Sequence, residues 1–208
     1  AESAALSPLR FGSIRYLPSS NREREPSAVR AAFSGESAMP CPNNAGNHQT
    51  IHLHPHPIML HQHKVWKRPS GIFPSLPSGM DKVLKEHFDK FMEKGELPPE
   101  IREYGIGNDY KLFNDKAKLE IWRNNRKGIQ YKDKTSGILL RGAVDNLLTK
   151  GKKLIVLDYK TRGYPLKDDT HEHYISQMDI YNFLLRKEGH KTEDYSYLLF
   201  YYPKEVTD

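Results

Sequence analysis

The feature that most constrains this chain is the run KLIVLDYK at residues 153–160, where four branched apolar residues are followed at once by an acid, an aromatic and a lysine. Lys150-Gly151-Lys152 just upstream is a turn signal, so the local pattern predicts a hairpin between two strands. Side chains alternate faces along a strand, which groups Val156, Asp158 and Lys160 on one face and Leu157 and Tyr159 on the other. The same alternation on the preceding strand groups Ala143, Asp145 and Leu147 against Gly142 and Val144. Antiparallel pairing then brings Asp145 towards Asp158. Two carboxylates and a lysine at the end of a half-buried sheet suit a hard divalent cation, Mg²⁺ or Mn²⁺, which offsets the repulsion between the acids.

The rest of the chain sets the frame for that site. Its 208 residues allow one ordinary domain with appendages. A hydrophobic share of 37% is low for a chain that folds throughout. The net charge of +6 favours a polyanionic partner such as nucleic acid, although a basic balance by itself is as well met by a solvated surface. A single cysteine, Cys41, excludes an internal disulfide framework and a thiolate metal cluster, so a reducing, cytoplasmic setting is expected. No stretch approaches the roughly 18 apolar residues of a membrane span, and the start lacks the order of a signal peptide. A soluble protein with no membrane partner is expected.

Residues 1–67 are rich in Ser, Pro, Arg and Asn, with no periodic apolar face, and read as a disordered or non-native segment preceding a domain at 68–208. A non-native segment would join the true frame between His63 and Trp66. His48, His52, His54, His56, His61 and His63 can in principle bind Zn²⁺ or Ni²⁺, but Pro55 and Pro57 break the local geometry and no acid completes a tetrahedron. Met80, Val83, Leu84, His87, Phe88 and Phe91 then recur at helical spacing, with Ser78 as the expected N-cap and an end near Gly95. Asp81 lies in the expected first turn, where a carboxylate suits either the helix dipole or a metal. Residues 100–117 read as a polar connector and Lys118–Trp122 as a short helix. Arg123, Arg126 and Lys127 form a basic cluster that can contact phosphates, although a solvated helix end is the plainer reading. Strands are predicted at Ile129–Tyr131, Gly137–Leu140 and Glu193–Tyr202. A helix is predicted from about His171 to Lys187, with Gln177 and Tyr181 on one face.

GAVD at residues 142–145, LDYKT at 157–161 and QMDIY at 177–181, in that order and at a hairpin's distance, resemble the motifs of the PD-(D/E)XK nuclease superfamily. The nearest resemblance is to its RecB-type and CRISPR-associated exonuclease-like branch, over residues 68–202. That resemblance implies a restriction-endonuclease-like α/β core, a mixed sheet flanked by helices. It further implies that Asp145 and Asp158, with the Tyr159 carbonyl, bind the divalent metal and that Lys160 orients or activates the attacking water. Gln177 and Tyr181 would position DNA or brace the site. An upstream helix supplies a further metal residue in the family, often His or Glu, and Asp81 holds the comparable place here. Relatives commonly carry an iron–sulfur cluster on one cysteine before the core and three after it. With Cys41 alone no such cluster is expected, and the domain is expected to be truncated at its C-terminus. The implied activity is metal-dependent hydrolysis of DNA, exonucleolytic, in repair, recombination or defence, with a helicase or recombination partner. The alternative is a nucleic-acid-binding module that keeps the fold without turnover.

Overall fold

The computed structural model describes residues 13–18, 75–107 and 109–203. The histidine-rich stretch and Cys41 lie outside the described residues. The centre of the molecule is β6, Lys153–Thr161, buried along most of its length. It pairs antiparallel with β5, Asn146–Lys150, through the predicted hairpin, whose turn uses Gly151 at φ 58. On its other side β6 runs parallel to β7, Tyr195–Tyr201, so Leu154–Leu157 has neighbours on both edges and both faces. A continuous apolar run is what such a strand requires.

Two helices cover the two faces of this sheet. On one face Val156, Leu198 and Phe200 pack with Met178, Tyr181 and Leu185 of α4, Ile175–Lys187, which follows a 3₁₀ turn at Thr170–Tyr174. On the other, Ile155, Leu157, Tyr159 and Leu199 pack with Leu84, Phe88 and Met92 of α1, Ser75–Lys94. The predicted mixed α/β layering is therefore present. Helix α1 begins earlier than its apolar spacing predicts, so Ser78 lies inside the helix instead of capping it. Pro77 falls in the first turn, where a missing N–H breaks no helical hydrogen bond. Asp81 accordingly sits beyond the first turn, away from the dipole end.

Three stretches depart from the sequence reading. Ser13–Pro18, inside the segment expected to be without order, forms β1 and pairs antiparallel with β7 at one edge of the sheet. The supposed connector holds α2, Pro99–Glu103, and β2, Tyr110–Leu112, which closes the opposite edge against β5. The five-stranded order is thus β1-β7-β6-β5-β2. Finally, the strand expected to run from Gly142 through Leu147 is broken. Residues before the break form a two-stranded ribbon, β3 (Ile129–Lys132) with β4 (Leu139–Gly142), separate from the main sheet. Val144 and Leu147 both enter the α4-side core, which simple alternation forbids. The Val144 N–H donates to the Trp122 carbonyl at 3.2 Å instead of to a strand. Trp122 belongs to the predicted short helix, α3, found at Lys116–Arg123.

Candidate metal centre

The chain enters β5 at Asn146, which pairs with Leu157 across the hairpin. One step outward, Asp145 stands beside Asp158, as the sequence predicts for the hairpin. Asp145 is 2% exposed, Asp158 0% and Lys160 4%. Burying two carboxylates this completely is costly unless cations or donors meet them.

Each acid is met differently. Asp145 Oδ2 accepts the Tyr159 backbone N–H at 3.1 Å, so the hairpin partner clamps the first acid through the residue between Asp158 and Lys160. Lys85 Nζ of α1 lies 3.5 Å from Asp145 Oδ1 and 2.8 Å from Asp81 Oδ2. Asp158 pairs with the Lys160 ammonium, while its Oδ1 receives no hydrogen bond. Burial raises the Asp158 carboxyl to about 7; the Lys160 ammonium pulls it down and the Asp145 carboxylate pushes it up. Burial works against the Lys160 ammonium, and the charges of Asp158 and Asp145 more than offset it, so Lys160 titrates above the ordinary lysine value. Lys160 Nζ also lies 5.0 Å from the centre of the Tyr174 ring, a favourable place for a cation.

Helix α4 closes the site from above. Gln177 Nε2 donates to the Tyr181 hydroxyl at 2.7 Å, the i, i+4 pair expected from spacing. Burial, and then the Asp158 and Asp145 charges, hold that hydroxyl well above its ordinary pKa, so it stays neutral. A Cβ at position 142 would come within 2.8 Å of Tyr181 Cε1 and 2.9 Å of Leu184 Cδ1. The first residue of the GAVD motif is thus a glycine because the Tyr181 ring rests on its backbone.

The residues that sequence reading passed over lie behind the acids. Arg123, expected at a solvated helix end, is turned inward. Its Nε donates to the Asp145 carbonyl at 2.7 Å and its Nη1 grips both oxygens of Asp89 at 2.8 and 2.9 Å. Asn146 Nδ2 donates to the Tyr159 hydroxyl at 2.8 Å, and the Tyr159 ring lies 4.7 Å from Phe88. A signal for this support was present in α1. Asp81, Lys85 and Asp89 recur every four residues and so form one polar stripe beside the apolar one.

The donors fit a hard divalent cation. They are carboxylate oxygens, one of them buried without a hydrogen-bond partner, in a place where added positive charge relieves both acids. Among the described residues no three His, Cys, Asp or Glu side chains converge. Asp81 reaches the pair through Lys85 and does not join it as a third acid. No helix among the described residues is long and apolar enough to cross a membrane. A family model described as the PD-(D/E)XK nuclease superfamily matches residues 56–207. No curated protein and no solved structure matches the chain.

Proposed function

We propose that this chain, which belongs to the PD-(D/E)XK nuclease superfamily and has a mixed α/β core consistent with a restriction-endonuclease-like fold, is a metal-dependent DNA nuclease acting in the cytoplasm. The observation that carries this reading is Asp158: a fully buried carboxylate with one bare oxygen, beside Asp145 and Lys160, in the family's motif order. Asp145, Asp158 and the Tyr159 carbonyl would hold Mg²⁺ or Mn²⁺, with Asp81 brought to the margin by Lys85. When bound, the cation supplies positive charge for the phosphate oxygens and makes water more acidic.

The chain's own groups do the rest. Lys160, protonated and fixed between Asp158 and the Tyr174 ring, donates hydrogen bonds to the incoming water or to a non-bridging phosphate oxygen. Tyr159 N–H keeps Asp145 turned towards Asp158, and Arg123 fixes the Asp145 backbone. Gln177 and Tyr181 brace the opposite wall and offer polar contacts to the substrate backbone. Hydrolysis forms one P–O bond to water, breaks the P–O bond to the departing nucleoside oxygen, and transfers a proton to that oxygen. The motif order also supports the RecB-type and CRISPR-associated exonuclease-like branch. That placement favours exonucleolytic action in repair, recombination or defence beside a helicase or recombination partner.

The test uses 5′- and 3′-labelled single-stranded DNA with Mg²⁺ or Mn²⁺, and compares the protein with Lys160→Ala. The reading predicts progressive shortening by the unmodified protein and a loss of at least about 100-fold in the variant. Equal degradation by both would remove Lys160 from the reaction. Binding without cleavage by either would favour the non-catalytic module.

A further inference from the structure

The basic charge of this protein is not spread evenly. From Asn124 to Arg141 the chain carries Arg126, Lys127, Lys132, Lys134 and Arg141 against one acid, Asp133. Asp133 is occupied within the ribbon's own loop, where its Oδ2 accepts from the Ser136 N–H and hydroxyl at 2.7 Å. Arg141 is also occupied, since its Nη1 donates to the Arg126 carbonyl and holds the 124–128 turn in place. Arg126, Lys127, Lys132 and Lys134 remain exposed, and none forms a salt bridge among the described residues. Elsewhere some surface lysines are paired, as Lys116 is with Glu93 and Lys153 with Glu193, and others, such as Lys90, Lys94 and Lys152, form no salt bridge among the described residues; the ribbon differs in gathering its unpaired cations within nine residues of sequence.

The ribbon's register places Lys132 on its outer face, with Arg126 and Lys127 in the turn before β3 and Lys134 in the loop that joins the two strands. Ile129, Tyr131 and Leu140 turn inward, with Tyr131 against Phe183 of α4 at 5.6 Å. The opposite face carries the directly paired residues Gln130 with Arg141 and Lys132 with Leu139. Both strands of the ribbon are rooted at the candidate centre at one end, where Ile129 pairs with Gly142. Its first strand follows Arg123, which holds the Asp145 carbonyl, and its second leads through Gly142 to Asp145 itself. A four-residue strand extends about 13 Å at ~3.3 Å per residue, so the charged face leads outward from the acids over more than one nucleotide.

We infer that the β3–β4 ribbon, through Lys132 on its outer face and the exposed cations of the turns at its two ends, is a sequence-independent grip for the phosphate backbone of a nucleic-acid strand, guiding it to Asp145 and Asp158. The inference rests on the nuclease reading and adds to it a polymeric substrate held on one side of the cleaved bond. Exposed Lys and Arg without an array of aromatics favour phosphate contacts over base stacking. Such contacts release counterions, and each contributes about 0.7 for a single strand, or about 0.9 for a duplex, to the slope of log affinity against log salt.

The experiment measures binding of fluorescent single-stranded and duplex DNA by anisotropy in EDTA at several salt concentrations. It compares the full chain, Lys127→Glu/Lys132→Glu/Lys134→Glu, and a charge-matched control, Lys90→Glu/Lys94→Glu/Lys152→Glu. All six positions are exposed, so thermal unfolding serves as the folding check, and the corresponding alanine triple gives a milder version. The ribbon variant is expected to bind at least about tenfold more weakly, with a slope shallower by about two, and the control to change much less. Equal losses in both variants, or an unchanged slope in the ribbon variant, overturn the inference, as does absence of binding by the full chain. Cleavage assayed in parallel separates the two ideas. Cleavage with ribbon-independent binding sinks the grip alone, whereas ribbon-dependent binding without cleavage sinks the nuclease reading and leaves the grip.

Discussion

At the scale of single residues the account turns on Asp158. Its carboxyl is raised from the ordinary 3.8 to about 7, chiefly by burial. Between those values the folded chain holds a proton that the unfolded chain has lost. The stability this group contributes is therefore full below the unfolded value and falls as pH rises towards 7. Metal binding runs the other way, because the cation needs the ionised acid. Thermal unfolding in EDTA should show the unmodified protein losing ground to Asp158→Asn between pH 5 and pH 8. The upward shift in its midpoint on adding Mn²⁺ should grow over the same range and be much smaller in the variant. A Mn²⁺ effect that is equal at both pH values would place the titrating ligand elsewhere. The acids, the lysine and the Gln177–Tyr181 pair were legible in the sequence because each is tied to a short period, two along a strand or four along a helix. Arg123 and Lys85 were not, since the former's partners, Asp89 and the Asp145 carbonyl, lie 34 and 22 positions away and composition alone gives a surface arginine.

At the scale of elements, the break between β4 and β5 is what turns both Val144 and Leu147 into one core, while the β5–β6 register keeps Asp145 opposite Asp158. A continuous strand would keep alternating. Instead Gly142 ends the ribbon under the Tyr181 ring, Val144 bonds to α3, and the chain enters the main sheet one residue after Asp145. Gly142→Ala tests this join. Its methyl group would meet the Tyr181 and Leu184 side chains well inside contact distance, and the expected loss of stability is about 1–3 kcal/mol. Activity should fall by more than this loss of folded protein explains, because Tyr181 must shift. Chemical denaturation with cleavage measured on the folded fraction checks both, and an unchanged midpoint would contradict the packing described. The central hairpin and α4 were readable because local spacing determines them. The break was not, because it depends on what helix rests on Gly142. The early start of α1 was hidden by Pro77, which reads as a loop residue although a first turn accepts it.

At the scale of the whole molecule, the sheet is longer than its motifs. Five strands in the order β1-β7-β6-β5-β2 place the acids near the middle, away from either edge. The outermost two strands escaped the sequence reading for one reason. Tyr110–Leu112 is three residues long, and Ser13–Pro18 sits in a polar context and finds its partner β7 more than 170 positions downstream, so neither has a local period to read. The two helical layers, by contrast, follow from the alternating faces of β6 and β7. What the assembled layers produce is one buried pair of carboxylates with a lysine, flanked by a basic ribbon rooted beside them. The most direct measurement is therefore the rate of cleavage of labelled DNA when Mn²⁺ is returned to EDTA-stripped protein, for the unmodified chain and for Asp158→Asn. The account predicts cleavage that begins only with the metal, and a variant that stays folded yet at least about 100-fold slower; equal rates in the two proteins, or cleavage that persists in EDTA, would contradict it.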